Sequence, residues 1–479
     1  LFAAFALRIF DIDAVPVERH ADELAGLVGV AKLRSGNTPL VPFFDLRVQY
    51  LPLYGIVEYG SALLFGESGF GLRLPAVLFG IVSVVALRWL AWEVTASIAV
   101  ADASAALFAI LPWAVHLSRI AWEPAAVFPF LLGGLAALAA GLRRRSRGLM
   151  ILAGLLLGIG AYSYRAEAFD ATLLAFALLA SSGKRAWAAR DSLALGAVTA
   201  AACVAPLALA VASHPHFFWR DAGIATFGHG ATADAFATFV RNYAAHFDLG
   251  SLFLTGDGFL DHGPRYGVLY WWMLPLSLLG IALAWRTLPR GSAAVLYFWL
   301  AIYPLGGALT NDGVPDFPRT LVGAPLACIF AALGLRTAWR LLRPQSAAGE
   351  RRRAAAAAAF CVVVAVSVLD FCRTYFLVYP AQSADAFRYG TANLFRTLRT
   401  FEGTYARVCF DSIDWYNYET LTGYYLGASR LVPSEGLTEC SQPFSLSVVD
   451  DPAKAPSDAH LLATIQNYEG KPIDYIYGN

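Results

Sequence analysis

Apolar stretches of membrane-crossing length recur along the chain, separated by short polar loops. A spanning helix needs roughly 20 mainly apolar residues. Eleven stretches fit: one running up to Phe10, then 74–91, 98–115, 124–142, 148–163, 168–182, 192–212, 267–285, 292–309, 320–338 and 354–370. The stretch at 168–182 is short and begins beside Asp170. The chain opens at Leu1 inside an apolar run, so a natural start upstream is expected. No cleavable signal peptide is read there, and the first span is expected to direct insertion itself. Two connecting loops are long, 11–72 and 214–266. Within the first, Tyr50–Phe65 is aromatic and half-apolar, with Pro52 near its start and Glu58 inside it. It is expected to be a helix lying along the membrane interface.

After Asp370 the pattern changes, and residues 371–479 hold no long apolar run. VCF at 408–410 and LVP at 431–433 predict short strands, and Trp415–Leu426 and Ala459–Tyr468 predict helices. The expected architecture is mainly α. A polytopic bundle of about eleven transmembrane helices (1–370) is followed by a small extracytoplasmic α/β domain (371–479). Cys409 and Cys440 both fall in that domain, where an oxidising compartment would permit a disulfide between them. Cys203, Cys328 and Cys361 lie in apolar spans and read as small core residues.

Charge adds an orientation. Arg143, Arg144, Arg145 and Arg147, then Lys184, Arg185 and Arg190, then Arg286 and Arg290, then Arg336 through Arg353 occupy every second loop. The intervening loops carry Asp22 and Glu23, Glu123, Glu167, Asp257 and Asp261, and Asp312 and Asp316. An excess of Lys and Arg marks the cytoplasmic side. The expected location is therefore the cell's inner (plasma) membrane, with the acidic loops outside. Of 479 residues, 58% are hydrophobic and only 15% charged, against about 25% for a soluble protein. A net charge of +1 supplies no global field suited to nucleic acid. Neither a P-loop nor a Gly-rich nucleotide fingerprint is visible.

Five outer clusters can carry chemistry, and each has a plainer reading beside it. Asp22 and Glu23, next to His20, suit a general base or metal ligands, or merely an exposed acidic helix start. Arg119 and Glu123 share a short turn, near one another if it is helical, as functional groups or as a structural ion pair. Tyr162 and Tyr164 in the next tight turn fit substrate contact or interfacial anchoring. Arg165 there, and Arg319 at the start of the tenth span, oppose the charge bias of the outer side. At a helix N-terminus Arg319 is unfavourable for the dipole, and an anionic partner such as a lipid phosphate would reverse that cost. Asp257, Asp261 and His262, with Asp22 or Glu23, are candidate ligands for a divalent ion, or a polar loop.

The order of these elements resembles a known group. A first span and an outer Asp22-Glu23 loop are followed by Leu-Phe-Gly at 64–66 and Gly-Leu-Arg-Leu-Pro at 71–75. Ser-Arg at 118–119, Tyr-Ser-Tyr at 162–164 and Pro-Arg at 318–319 complete the series. This is similar to bacterial glycosyltransferase family 39 within the GT-C membrane glycosyltransferases, which include protein O-mannosyltransferases and lipid A aminoarabinose transferases. The likeness covers about residues 1–340. In place of a Tyr-Thr-Tyr turn leading toward Pro, this chain has Tyr162-Ser163-Tyr164-Arg165-Ala166-Glu167.

The resemblance implies a hexosyl- or pentosyltransferase. Its donor would be a polyprenyl-phosphate sugar and its acceptor an extracytoplasmic protein, lipid or glycan, with inversion at the anomeric carbon. Asp22 would be the catalytic base, with Glu23 and Glu123 as further catalytic acids. Arg119, Arg165 and Arg319 would hold the donor phosphate, and Tyr162, Tyr164 and His262 would contact substrate. A divalent metal on Asp22, Asp257, Asp261 and His262 is the only cofactor candidate. A transporter or flippase is the alternative, but such proteins place ionisable groups near the bilayer midplane. Here the span interiors are nearly free of charge.

Overall fold

A computed structural model of the chain describes residues 1–20, 22–24, 52–213, 223–228, 230–311, 313–343, 346–411, 422, 424–426, 429–440 and 443–479. Each of the eleven apolar stretches coincides with a helix. Among the described residues, five helices are long and apolar enough to cross a membrane: Gly69–Thr95, Glu123–Arg144, Arg190–Ser213, Arg290–Ala308 and Ala347–Ser383. Shorter apolar helices lie at Ile98–Ile110, Arg147–Gly160, Ala168–Ser182 and Met273–Thr287. The apolar windows of Arg190–Ser213 and Ala347–Ser383 are only 11% buried. Helices that apolar with so little protein around them need hydrocarbon as solvent. The chain is a multi-pass membrane protein with a mainly helical fold.

Local signals set the helix ends. Ser68, Ser97, Ser146 and Ser346 stand at N-caps, each Oγ accepting from the backbone N–H three residues on. Pro112 forces a new start after Ile110, and the short helix Pro112–Leu117 carries His116 to the outer turn. Within Arg190–Ser213, Pro206 brings no N–H to the helix ladder. Next to it the Tyr162 hydroxyl replaces one rung, donating to the Cys203 carbonyl (2.8 Å) and accepting from the Leu207 N–H (3.2 Å). In the first long loop, Pro52–Phe65 is helical as expected. It buries Tyr54, Glu58 and Ala62 and exposes Ile56, Leu63, Leu64 and Phe65. That apolar outer face suits the interface.

Two expectations are corrected. The eleventh span does not stop at 370. The helix continues to Arg373, through a π-helical turn at Thr374–Val378 and on through Tyr379–Ser383. The polar Asp370-Phe371-Cys372-Arg373 stretch hides a continuing aromatic face. Phe371, Tyr375, Tyr379 and Phe387 belong to the core of the helix bundle. The bundle therefore ends near residue 387. The second correction is Ala459–Tyr468, expected as a helix, which contains strand β4, His460–Gln466. An Asn467-to-Gly470 turn, with Gly470 at φ +81°, folds it back against the next strand.

The C-terminal domain is a five-stranded mixed sheet in the order β2-β1-β3-β5-β4. Its other strands are β1 Arg407–Phe410, β2 Val432–Glu435, β3 Ser445–Val449 and β5 Pro472–Gly478. β1 runs parallel to β2 and β3, while β5 is antiparallel to β3 and β4. The helix Tyr389–Thr400 sets Leu394, Phe395 and Leu398 against Val408, Phe410, Leu446 and Ile476. Cys409 and Cys440 form a disulfide. Most of the expected helix 415–426 lies outside the described residues, and Tyr425 from its end stacks on Phe395. The described part of the first long loop docks on this domain. Leu24 is buried in the domain's core, and Glu18 pairs with Arg396.

Candidate active site

The neighbours Asp22 and Glu23 meet different surroundings. Glu23 is buried, and both its oxygens are saturated. Oε1 takes the Arg73 Nε–H (3.0 Å) and the Ala121 N–H (2.8 Å). Oε2 takes the His20 N–H (2.8 Å) and Arg73 Nη2 (3.3 Å). Burial would raise the Glu23 pKa, but the charge and hydrogen bonds of Arg73 hold it below the usual carboxylate value. Arg73 also donates to the carbonyls of Ile12, Pro16 and Glu18. The pair thus ties the start of the Gly69–Thr95 helix to the first loop and to the 118–122 turn.

Arg119 completes that bracket. It is fully buried and donates to the carbonyls of Leu7, Arg8, Asp11 and Val15 at 2.9–3.3 Å. These include carbonyls from the end of helix Phe2–Ile9, where a cation is favourable. Its guanidinium lies over the Tyr375 and Phe376 rings at 5.4 and 4.8 Å. Arg119 is thus occupied in holding the first helix, contrary to the phosphate role the resemblance implied. Tyr162, spent on the Arg190–Ser213 helix, is likewise structural.

Asp22 instead opens a line of alternating carboxylates and imidazoles. His20 Nδ1 stands 3.6 Å from Asp22 Oδ2, and His20 Nε2 stands 3.6 Å from Asp261 Oδ2. His262 Nε2 lies 3.8 Å from the same Asp261 oxygen, and His262 Nδ1 lies 2.7 Å from Asp257 Oδ2. Trp122 stacks on the His262 ring with centroids 5.9 Å apart. Burial alone would lower the His262 pKa, but the hydrogen bond and charge of Asp257, with Asp261, raise it to about 9. His262 is therefore an imidazolium at neutral pH.

His116 supports this line from below. Its Nε2 pairs with the Asp261 carbonyl and its Nδ1 with the Tyr375 hydroxyl, each at 3.0 Å. Burial pushes its pKa down to about 4, so the ring is neutral and spans the two groups. The Tyr379 hydroxyl donates to the Leu260 carbonyl. Tyr375 thus reaches the loop through His116, and Tyr379 bonds it directly.

At the far end, Asp257 also accepts the Phe317 N–H (3.3 Å), which leads to Asp316 and Arg319. Arg319 Nε lies 3.2 Å from Asp316 Oδ2, and its Nη1 donates to Thr310 Oγ1 at 2.7 Å. Burial, opposed by Arg319, raises the Asp316 pKa. Burial and the nearby Asp316 raise that of the Tyr164 phenol, which hydrogen-bonds Arg319, with Glu123 close by. Arg165 opens the helix Arg165–Ser182 beside this group.

The structure therefore joins Asp22, Asp257, Asp261, His262, Arg319, Tyr164 and Glu123 in one network, and places Glu23, Arg119 and Tyr162 in the frame beside it. The four candidate metal ligands meet, but as a line in which imidazoles separate carboxylates. Among the described residues no group of three or more His, Cys, Asp and Glu side chains is arranged to hold a metal ion. Asp312, His214, His216, Trp219 and His229 lie outside the described residues, as does the Glu167 side chain. Three contributors were missed from sequence: Arg73, Tyr375 and Tyr379. Arg73 had a signal, being a cation just inside a span on the acidic side. The tyrosines had none, since their place depends on the helix running past 370.

Residues 52–209 match the family described as dolichyl-phosphate-mannose-protein mannosyltransferase. No curated protein matches the sequence. The fold is shared with ArnT from Cupriavidus metallidurans bound to undecaprenyl phosphate, at TM-score 0.60 and 14% identity over 99% of this chain and 96% of that one. The same protein in the apo state aligns at TM-score 0.57 and 14% identity over 99% and 95% of the two chains. The archaeal oligosaccharyltransferase AglB from Archaeoglobus fulgidus, in complex with an inhibitory peptide and a dolichol-phosphate, aligns at TM-score 0.53 and 14% identity, covering 90% of this chain and 63% of that one. The family model agrees with the resemblance over residues 52–209, and the shared fold agrees with the polytopic helical architecture it implied.

Proposed function

We propose that the chain transfers a sugar from a polyprenyl-phosphate donor to a hydroxyl or amine of an acceptor on the outer face of the plasma membrane, with inversion. The observation that carries this reading is the line from Asp22 to Arg319, with a carboxylate at one end and a guanidinium at the other. Asp22 accepts the acceptor's proton as the acceptor atom bonds to the anomeric carbon. The bond from that carbon to the phosphate oxygen breaks, and its electron pair leaves with the lipid phosphate. Arg319 stabilises that anion, and a neighbouring Arg165 adds to the field. His20 and Asp261 orient Asp22, and His262, as a cation, holds Asp257 and Asp261 in place. Glu123 and Tyr164 position Arg319.

The membrane supports the same division of labour. A lipid phosphate sits at the interface, where the exposed apolar side of helix Pro52–Phe65 offers a surface for its chain. The test is to incubate the purified full chain with a panel of polyprenyl-phosphate sugars and follow sugar release or transfer. Turnover of one panel member, with polyprenyl phosphate as co-product, is expected. Inertness toward every member, with donor binding also absent, would overturn the reading.

A further inference from the structure

We infer a second binding site, on the opposite membrane face, for the phosphate headgroup of an anionic membrane lipid. The Gly69–Thr95 helix is about 40 Å long at 1.5 Å per residue. Arg73 near its start belongs to the outer bracket, and Glu93 near its end lies across the bilayer. There the ends of several helices surround an open cleft of about 240 Å³. Leu142, Leu178 and Val295 form an apolar floor, and Arg143, Arg185, Ser182 and Ser292 stand around it.

The cleft's charge is unbalanced toward positive. Its one acid, Glu93, has a side chain only 1% exposed and is saturated from within. Arg143 grips it with two bonds of 2.8 and 2.7 Å, and Arg144 stands at 3.8 Å. Arg185, exposed at the rim, has no carboxylate partner among the described residues. Two cations thus face one neutralised carboxylate, beside further Arg and Lys residues on the same loops. Such surplus cations near a membrane surface attract anionic headgroups.

The lipid source is favoured over free phosphate by the level at which the cleft lies. Trp187, 73% exposed, stands two residues beyond Arg185, and Trp92 lies under Arg143 and Arg144 at 5.2 and 5.9 Å. Tryptophans gather at the headgroup level of a bilayer. An apolar floor beneath a cationic rim then matches glycerol backbone and acyl chain below, phosphate above. The site is independent of the proposed sugar transfer.

The test is native mass spectrometry of the full chain in detergent, titrated with dioleoyl-phosphatidylglycerol or dioleoyl-phosphatidylcholine, with inorganic phosphate as a third arm. One phosphatidylglycerol is expected to bind in preference to phosphatidylcholine. Arg185→Gln is expected to weaken that lipid about fivefold, the usual worth of one basic residue near a membrane surface. Phosphatidylcholine binding and the thermal midpoint should stay as they were. Arg352→Gln, on another helix of the same face, is expected to change nothing. Equal occupancy by the two lipids would overturn the inference. So would equal loss in both variants, which would mean diffuse attraction to a basic face. Displacement of the lipid by millimolar inorganic phosphate would assign the site to free phosphate and overturn the lipid reading.

Discussion

The bracket built on Glu23, Arg73 and Arg119 and the line that begins at Asp22 lie side by side, yet they use charge in opposite ways. In the bracket every oxygen of Glu23 is taken, and four carbonyls share Arg119. These bonds offset the cost of burial there, with Arg119 Nε alone left without a hydrogen-bond partner in the bracket among the described residues. In the line, carboxylates face imidazoles at 2.7–3.8 Å; Asp257 is buried, while the Asp22 and Asp261 side chains stay 22% and 27% exposed. Adjacent residues of one helical turn therefore have different fates. The lesson is that sidedness locates charge, while saturation of hydrogen bonds decides whether it holds the frame or remains open to chemistry.

That contrast breaks first if Glu23 is dispensable. Glu23→Ala leaves Arg73 buried and unpaired, so it should destabilise the protein by about 3–5 kcal/mol, read as lost folded yield and a lower thermal midpoint. An unchanged midpoint would dissolve the bracket. Next come the two arginines. Arg119→Ala should lower stability by about 2 kcal/mol or more, since bonds from a charged group to four carbonyls are lost. The protein that still folds should bind donor normally. Arg319→Ala leaves the buried Asp316 without its cation, so it should lower stability as well, and the folded protein should lose about tenfold or more in both donor binding and turnover. Reversed outcomes would exchange their roles.

The smallest expected effect is a pH dependence. The folded pKa of His262, about 9, lies above its ordinary value of 6.5. The stability it contributes is therefore complete below pH 6.5 and is lost as pH rises toward 9. Relative to His262→Gln, the native chain should hold an advantage on the order of 1–2 kcal/mol near neutrality that vanishes above that range. A constant gap across pH 6 to 10 would show that Asp257 and Asp261 do not hold the ring as an imidazolium.

The bundle was legible because hydropathy and Arg placement act on whole segments. All eleven apolar stretches became helices, and the interfacial segment followed. Asp22, Asp257, Asp261 and His262 were legible as polar groups gathered at the same ends of the apolar helices, because water and lipid sort them by side. Their alternation was not, since it depends on which turn each loop adopts. Arg119 misled because an outer arginine reads the same whether it serves a phosphate or a helix end. The strand at 460–466 misled because Leu461, Leu462 and Ile465 fit a helical face until β5 supplies a partner. The end of the bundle misled because Tyr375 and Tyr379 continue one face across a π-helical turn.

The most direct measurement compares Asp22→Asn with the native chain, following donor binding and single-turnover sugar transfer on the same preparation. The substitution keeps shape and hydrogen bonding but removes the base. Binding should persist while turnover falls by a factor on the order of 10² or more. Native turnover in Asp22→Asn would contradict the account and return Asp22 to the frame beside Glu23.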